Sequence, residues 1–348
     1  MPISIDRGTN ISHWLSQSDK RGAERRAWFG RDDVRRIADW GFDHIRLPID
    51  EEQLWDHDGK QEAEAWDLLD AGLDWAMEAG INVVVDLHIL RNHSFGQSDE
   101  PALFSSPEEA GRFAGLWRQL SARMRSRPCD RVAYELLNEA VASDPADWNR
   151  VALGAHAEVR ALEPRRPLVL GSNQWNSVFT YDQLQVPQDQ DTILTFHYYH
   201  PMFITHHRAS WSPEGRMYDG PIRYPGRPIA DEHLHLVRKP DNHRLLDLSM
   251  ERLNKPYDPE QLLADLEQPL RAARRTGLPL YCGEFGVINL APSHVREAWY
   301  RDIVTVFVEN GIGWANWDYK GCFAIVGPGG ASTGIAEVML AAAAAPKR

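Results

Sequence analysis

The chain alternates short apolar runs with longer segments in which apolar residues recur every three or four positions. Short runs rich in β-branched residues are typical of buried strands, and the longer period is typical of amphipathic helices. Eight strand-like runs are found, at residues 4–11, 44–49, 82–88, 131–138, 167–171, 192–199, 278–283 and 312–317. Strands that alternate with helices form parallel sheets, and eight is the number that a closed (β/α)8 barrel requires.

Capping signals mark the helices between these runs. Asp32 precedes a helix predicted over residues 33–40, and Ser106 opens a helix that runs to Arg125. An alanine-rich segment at 341–345 is predicted to end the last helix or to form a disordered terminus. These signals fit the helical layer of a barrel.

One long connection, at about residues 200–258, interrupts the alternation after the sixth strand. It is rich in His, Arg, Pro, Tyr and Trp, and a connection of this length inside a compact domain usually serves a function. Because it follows a strand, we expect it at the carboxyl-terminal face of the barrel, where active sites are built. The pattern predicts one α/β domain over residues 1–348, a TIM barrel with a long insertion after strand 6.

Composition and charge narrow the classes of partner. The net charge of −12 repels phosphate backbones, so nucleic acid is not an expected partner. The 13 tryptophans favour carbohydrate, because a flat ring can cover the apolar face of a sugar, although Trp also fills cores. These counts favour a carbohydrate, either an oligosaccharide or a polysaccharide, as the partner.

Compartment and assembly are predicted from what the chain lacks. Its start has no basic and apolar leader, and no apolar stretch is long enough to span a membrane. We therefore expect a monomer without membrane contact, cytoplasmic as given and secreted if a leader was removed. Three cysteines are too few for a disulfide framework and are predicted to be buried small hydrophobes.

The candidate chemistry lies in polar residues at the carboxyl ends of otherwise apolar strands. On a barrel these positions converge on one mouth, whereas a single buried charge could equally belong to a structural ion pair. The set is Arg46, His88, Asn138, Glu139, His197, Tyr199, Glu284 and Trp317. Two of its members, Glu139 and Glu284, supply the pair of carboxyl groups that glycoside cleavage needs, one protonated and one ionised.

Six motifs, in order along the chain, resemble those of glycoside hydrolase family 5, the cellulase-type family of clan A. They are His44-Ile45-Arg46-Leu47-Pro48, Val85-Asp86-Leu87-His88, Leu136-Leu137-Asn138-Glu139, Phe196-His197-Tyr198-Tyr199, Gly283-Glu284-Phe285-Gly286 and Asn316-Trp317. The resemblance covers residues 1 to about 325 and extends to soluble bacterial endoglucanases. It implies a retaining hydrolase whose two carboxyl groups stand about 5 Å apart.

The same resemblance implies roles for the two glutamates and their neighbours. Glu139 is the general acid/base and Glu284 is the nucleophile that forms a covalent glycosyl intermediate. Asn138 is expected to bind the sugar 2-hydroxyl. Arg46 and Tyr199 are expected to hold Glu284, the cation keeping it ionised.

The remaining site candidates are rings. His88 and His197 are expected to line the cleft, with His197 either tuning Glu139 or touching substrate. Trp317 is expected to form the floor under the sugar that is cleaved, whereas Trp314, an odd number of positions away, is expected to face the core.

Loop residues form a second group of candidates. In the insertion, Phe203, Trp211, Tyr218 and Tyr224 either wall further sugar subsites or pin the insertion to the barrel. The loop after strand 3, with Arg91, Asn92, His93 and Phe95, and Trp175 after strand 5 have the same two interpretations.

Other chemistries lack their motifs. His206-His207 and His233-Leu234-His235 have no zinc-site spacing, so we predict solvated loop histidines and no metal site. The glycines of residues 327–330 lack the Lys-Ser/Thr of a phosphate loop and are predicted to form a turn, and no cofactor is expected. A serine nucleophile would need a Gly-x-Ser-x-Gly elbow.

The substrate predicted by the resemblance is a β-1,4-linked glucan, cleaved in soluble polymers or cello-oligosaccharides by an endoglucanase. The alternatives are a mixed-linkage glucanase, a mannanase, a xyloglucanase, an exo-acting β-glucosidase or a non-catalytic carbohydrate-binding barrel. Fold alone does not separate these functions.

Overall fold

The computed structural model describes residues 3–96, 99–239 and 249–345. Eight strands close a barrel in chain order, which confirms the predicted fold. Strands β1 to β6 pair in parallel with their neighbours, as do β7 and β8. Their bounds are β1 Arg7–Asn10, β2 His44–Asp50, β3 Asn82–Ile89, β4 Val132–Glu135, β5 Leu168–Gly171, β6 Thr192–Tyr198, β7 Leu280–Phe285 and β8 Gly313–Asn316.

Helices of seven residues or more lie between most successive strands and after β8. Within the described residues they span Gly22–Trp28, Arg31–Trp40, Ala63–Glu78, Pro107–Met124, Pro145–Leu162, Pro259–Asp265, Glu267–Thr276, Ser293–Glu309 and Ile335–Ala344. The last of these includes most of the alanine-rich segment, so the helical alternative holds there. Shorter helical turns lie at Glu51–Leu54, Ala102–Ser105, Asn173–Asn176, Tyr181–Gln183, Met202–Thr205, Pro213–Met217, Asp231–Leu236, Met250–Leu253 and Pro328–Gly330.

Two helix starts show how the capping signals worked. Ser106 is the N-cap of its helix and its hydroxyl accepts from the Glu109 N–H at 3.3 Å, as predicted. The helix predicted to open at Asp32 instead begins at Arg31, with Gly30 as N-cap. The prediction was wrong there because the side chain of Asp33, and not of Asp32, accepts from the Gly30 N–H, at 3.1 Å.

The barrel interior is filled by short apolar side chains from successive strands. One buried cluster comprises Ile3, Ile5, Val84, Ala133, Val169, Ile193, Tyr281 and Ala315. Six of its members come one each from β3 to β8, and Ile3 and Ile5 precede β1, so they can meet only inside the barrel. Burial of this kind is the main favourable contribution to folding, and here it supports the polar layer described below.

The chain divides into two compact units. The first comprises Met1–His197, Gln268–Gly283 and Gly313–Ala315, and the second Tyr198–Glu267, Glu284–Ile312 and Asn316–Arg348. Between β6 and the helix at Pro259–Asp265, the described residues of the second unit contain four short helical turns. Residues 240–248 of the predicted insertion lie outside the described residues. Among the described helices, none is both long and apolar enough to cross a bilayer.

Candidate active site

Glu139 lies four residues beyond the end of β4 and contacts His197 on β6. The Glu139 Oε1 atom is 2.8 Å from His197 Nδ1, and both side chains are nearly buried. Burial first, and then the nearby charges of Arg46 and His88, lower the pKa of His197 well below its usual value. A neutral imidazole with its proton on Nδ1 can donate to Glu139 Oε1 whether or not the other oxygen carries a proton, so the contact suits a carboxyl group that alternates between the two states.

Arg46 lies in the middle of β2, not at its carboxyl end as the sequence suggested, and its guanidinium is fully buried. It forms a two-point ion pair with Glu135, at 2.7 and 3.0 Å, and contacts Asp86 at 2.9 Å. The register pairs Asp86 with Glu135, which brings both carboxylates to the same guanidinium. Arg46 also donates to Asn10 at 2.9 Å and to Asn138 at 2.8 Å. This side chain is the hub of a buried polar layer.

The two buried carboxylates compete for one cation. Burial raises the pKa of Asp86 and of Glu135 to about 7, and the Arg46 charge opposes the shift in both. Loss of the cation would leave two carboxyl groups buried beside each other, which is far costlier than loss of an exposed ion pair.

We expect Arg46→Met to lower the free energy of unfolding by about 3 kcal/mol, because it leaves the buried carboxyl groups of Asp86 and Glu135 without a cation. Arg7→Met is the matched control, since Arg7 forms a half-exposed pair with Asp43 at 3.9 Å and should matter little. Urea unfolding of both variants measures the difference. Equal stability of the two variants would contradict a structural role for the layer.

Gly283, the residue before Glu284, lies against this polar layer. A Cβ at position 283 would be 3.0 Å from Thr195 Oγ1 and 3.3 Å from His197 Nε2. A side chain there would therefore displace the ring that contacts Glu139. The Gly283 carbonyl also accepts from Asn10 at 2.9 Å, which ties β7 to β1.

Asn138 precedes Glu139 and is almost fully buried. Its Oδ1 atom accepts from Arg46, which fixes the orientation of the amide group. Within the described residues, that NH2 group donates no hydrogen bond to the protein. An oriented amide donor beside Glu139 suits a sugar hydroxyl, the partner that the sequence predicted.

In the second unit, Tyr199 supports Glu284. The Tyr199 hydroxyl donates to Glu284 Oε2 at 3.0 Å, and the Glu284 side chain is nearly buried at the end of β7. The Tyr199 ring packs edge-on against His206 and Phe323, with centroids 5.1 and 6.1 Å away. A phenol held by two ring contacts fixes the orientation of the carboxylate oxygen that accepts its hydrogen bond.

Trp317 and Trp314 have different surroundings. Trp314 is fully buried in the first unit, where its ring meets Phe42 edge-on at 6.2 Å, so the expected core position is correct. Trp317, in the second unit, is 8% exposed, and its backbone N–H donates to the Phe285 carbonyl at 2.8 Å. The Trp317–Asp318 peptide bond is cis.

Comparison with known proteins decides the family. A family model described as Cellulase (glycosyl hydrolase family 5) matches residues 12–322. Endoglucanase C of Acetivibrio thermocellus is 32% identical over 321 residues, which cover 91% of this chain and 92% of that protein. The chain belongs to glycosyl hydrolase family 5. It is therefore a glycoside hydrolase, as its motifs predicted.

Two further comparisons agree with this family. Cellodextrinase A of Ruminococcus flavefaciens is 29% identical over 312 residues, which cover 88% of this chain and 83% of that protein. The structure of Thermotoga maritima Cel5A in complex with cellobiose is 22% identical, covers 97% of both chains and superposes with a TM-score of 0.75. The structural match supports the barrel fold.

The four aromatic side chains predicted in the insertion at about residues 200–258 fall into two groups, those held by packing or hydrogen bonds and those exposed to solvent. Phe203 and Tyr218 are buried against each other at 6.3 Å, and the Tyr224 hydroxyl donates to Asp302 at 2.8 Å. Trp211 is 55% exposed. The first three side chains therefore pin the segment, and of the four only Trp211 is available to a ligand.

The loop after β3 is held by charged pairs. Arg91 and Arg112 both bind the buried carboxylate of Glu51, and Asn92 donates to Glu109 at 2.5 Å. Phe95 closes the loop: its carbonyl accepts from Trp175 Nε1 at 2.8 Å. Most of these loop residues therefore have a structural role. Trp175, in contrast, is half-buried and keeps part of its surface exposed.

His93, in the same loop, faces the core. It is fully buried and meets Phe104 edge-on at 5.4 Å, and burial lowers its pKa to about 4. Between pH 6.5 and 4 the unfolded chain binds a proton at His93 that the folded chain does not bind. The free energy of unfolding therefore falls as the pH drops through this range.

The free energy of unfolding of the natural protein should fall between pH 7 and pH 5. We expect His93→Phe to make that fall about 2 kcal/mol smaller. Denaturant unfolding at the two pH values measures this loss in the variant and in the natural protein. The same change at the exposed His294 is the control. An identical pH dependence in the His93 variant and the natural protein would refute the buried, neutral imidazole.

Some predictions about other residues were wrong. His207 is buried and His206 is packed against Tyr199, so these two are not solvated histidines, and burial lowers the pKa of both to about 4. Of the cysteines, Cys282 is buried as expected, but Cys129 is half-buried and Cys322 is exposed. The glycine segment at Pro328–Gly330 does form a turn.

Sequence reasoning also missed functional neighbours. Asp86 and Glu135 each interrupt an apolar strand, and a charge in that position needs a buried partner. That signal was available at Asp86, inside a quoted motif, and at Glu135, three positions before Asn138. No local signal marked Gln17, which contacts His88 through the tertiary fold.

Proposed function

We propose that this family 5 enzyme is an endo-β-1,4-glucanase that acts by double displacement, with Glu139 as acid/base and Glu284 as nucleophile. The observation that carries the proposal is the difference between their surroundings. Glu139 faces a neutral imidazole, whereas Glu284 receives a hydrogen bond from the Tyr199 phenol. The first setting suits a group that changes protonation, and the second suits a carboxylate that stays ionised until it attacks.

In the first step, a Glu284 oxygen attacks the anomeric carbon while the bond from that carbon to the glycosidic oxygen breaks. The leaving oxygen takes the proton of Glu139, so a glycosyl ester and a free alcohol result. In the second step, water attacks the anomeric carbon and gives its proton to Glu139. Glu284 leaves as a carboxylate, and two inversions restore the original configuration.

His197 keeps one tautomer through this cycle. Its Nδ1–H donates to Glu139 Oε1 before the first step, when the acid proton is on Oε2, and after it, when the group is a carboxylate. The imidazole stays neutral because it is buried and faces the positive Arg46. The hydrogen bond of Asn138 to the 2-hydroxyl is expected to strengthen as positive charge develops on the sugar ring.

The β-1,4-glucan assignment is supported by two relatives. One is named an endoglucanase and the other a cellodextrinase, and each aligns over more than four fifths of this chain. Both names refer to hydrolysis of β-linked glucose chains, the first in polymers and the second in short oligomers. We propose soluble β-1,4-glucan and cello-oligosaccharides as substrates.

A product profile tests the substrate class. Carboxymethylcellulose, barley β-glucan, glucomannan, xyloglucan and reduced cellopentaose are incubated with the natural enzyme and with Glu284→Gln. We expect cello-oligosaccharide products and a rapid fall in viscosity, both absent with the variant. Manno-oligosaccharide products without cleavage of cellopentaose would overturn the assignment of β-1,4-glucan as the substrate. Binding of these polysaccharides without hydrolysis would overturn the proposed enzymatic activity.

Trp211 is proposed to stack on a sugar distant from the cleaved bond. We expect Trp211→Ala to lower kcat/KM on soluble glucan about fivefold, because it removes one aromatic platform, and to leave an aryl β-glucoside unaffected. Leu162→Ala is the control, since Leu162 is also exposed (45%) but ends the helix that precedes β5. A similar loss on both substrates would argue against a distant subsite.

A further inference from the structure

Gln17 has a costly backbone conformation in the segment between β1 and the helix at Gly22–Trp28. Its φ is +49°, in the left-handed region that residues other than glycine rarely adopt. The Gln17 N–H donates to Asp50 Oδ2 at 2.6 Å, and Asp50 is almost fully buried. Strain of this kind, fixed by a buried partner, is frequent at functional sites.

The side chain of Gln17 is fixed at its other end. Its Nε2 atom is 2.8 Å from His88 Nε2, and His88 Nδ1 is 2.6 Å from Asp86 Oδ2. Asp86 also pairs with Arg46, so its oxygen accepts from His88 Nδ1–H and leaves His88 Nε2 as an acceptor. The Gln17 amide nitrogen therefore donates to His88.

This arrangement leaves one end of the Gln17 amide unused. Gln17 is half-buried, and within the described residues its Oε1 atom accepts no hydrogen bond from the protein. Both ring nitrogens of His88, in contrast, are engaged. Among the described residues of this network, the Gln17 carbonyl is therefore available to accept from a hydroxyl, and it is held in one orientation before any ligand arrives.

We propose that Gln17 is a substrate-binding residue, whose Oε1 accepts from a hydroxyl of the glycone sugar, the one bound covalently during turnover. The inference rests on the proposed function. It places Gln17 with the glycone because hydrogen bonds and ion pairs run from Gln17 through His88, Asp86 and Arg46 to Asn138, the residue expected to bind the glycone 2-hydroxyl.

Gln17→Gly tests the proposal without adding strain, since glycine adopts φ +49° readily. We expect kcat/KM to fall about tenfold, as for loss of one oriented hydrogen bond, on both soluble glucan and an aryl β-cellobioside. The melting temperature should not fall. Gln190→Gly, at an exposed turn before β6, is the control and should retain full activity.

A second measurement separates contact with substrate from support of His88. Gln17→Gly is combined with His88→Ala, and kcat/KM is measured on the aryl β-cellobioside. We expect the Gln17 change to lower activity in both backgrounds. No further loss in the His88→Ala background would show that Gln17 acts only through His88 and would overturn the proposal.

Two other outcomes are also decisive. A loss confined to soluble glucan would place Gln17 on the leaving-group side and overturn the glycone assignment, because the aryl β-cellobioside has no sugar there. Full activity of Gln17→Gly on both substrates would overturn the contact itself. If the natural enzyme hydrolysed neither substrate, the proposed function would fail, which is distinguishable from failure of the Gln17 proposal.

Discussion

Glu284→Ala is expected to lower kcat on an aryl β-cellobioside by a factor on the order of 10⁴. The variant lacks the oxygen that bonds the anomeric carbon, so the covalent intermediate cannot form. The methyl group leaves the Tyr199 phenol without its acceptor but creates no buried charge, so the barrel should stay folded. Steady-state kinetics with a melting curve for each protein measure both effects.

Azide provides the control for this variant. A small anion can enter the space that the carboxylate vacates and attack the anomeric carbon from the same side. We expect azide to restore turnover and to yield the α-glycosyl azide, with inverted configuration. A variant that keeps natural activity, or an azide product of β configuration, would show that Glu284 is not the nucleophile.

Glu139→Ala is expected to lower kcat on soluble glucan about 10³-fold, the usual contribution of general acid catalysis. A sugar alcohol is a poor leaving group and needs the Glu139 proton. Dinitrophenolate leaves without a proton, so the first step should remain fast on a dinitrophenyl β-cellobioside. Rapid-quench kinetics on that substrate should show a burst followed by slow turnover.

The burst identifies the role of Glu139 in the second step. Without a base, water attacks the glycosyl ester slowly, and azide, which needs no base, should accelerate turnover and give the β-glycosyl azide. Equal losses on the glucan and on the dinitrophenyl substrate would contradict the acid/base role. Insensitivity to azide would contradict a stalled intermediate.

Much of the fold could be predicted from the sequence because its signals are local. The apolar runs that predict the strands, and the serine that caps the helix from Pro107, each depend only on residues that are close in sequence. The eight strands were found, with ends that differ by a few residues. The helix start at Arg31 was missed, since two acids in succession, Asp32 and Asp33, compete for one capping role.

The parts of the site that sequence could not supply depend on register and burial. Asp86 becomes a partner of Glu135 only when β3 and β4 align in one register. His93 and His206 stand in polar loops, and the burial of His93 and the packing of His206 against Tyr199 follow from how each loop folds. Gln17 meets His88 across 71 positions of sequence, so no local pattern predicts the contact.

The central claim, a covalent intermediate on Glu284, is tested most directly by trapping it. A 2-deoxy-2-fluoro-β-cellobioside with a good leaving group is incubated with the natural enzyme, and the labelled peptide is sequenced by mass spectrometry. The fluorine slows both steps, and the good leaving group lets the ester accumulate. We expect one cellobiosyl label per chain, on Glu284. A label on another residue, or no label while the fluoride substrate is still hydrolysed, would contradict the mechanism.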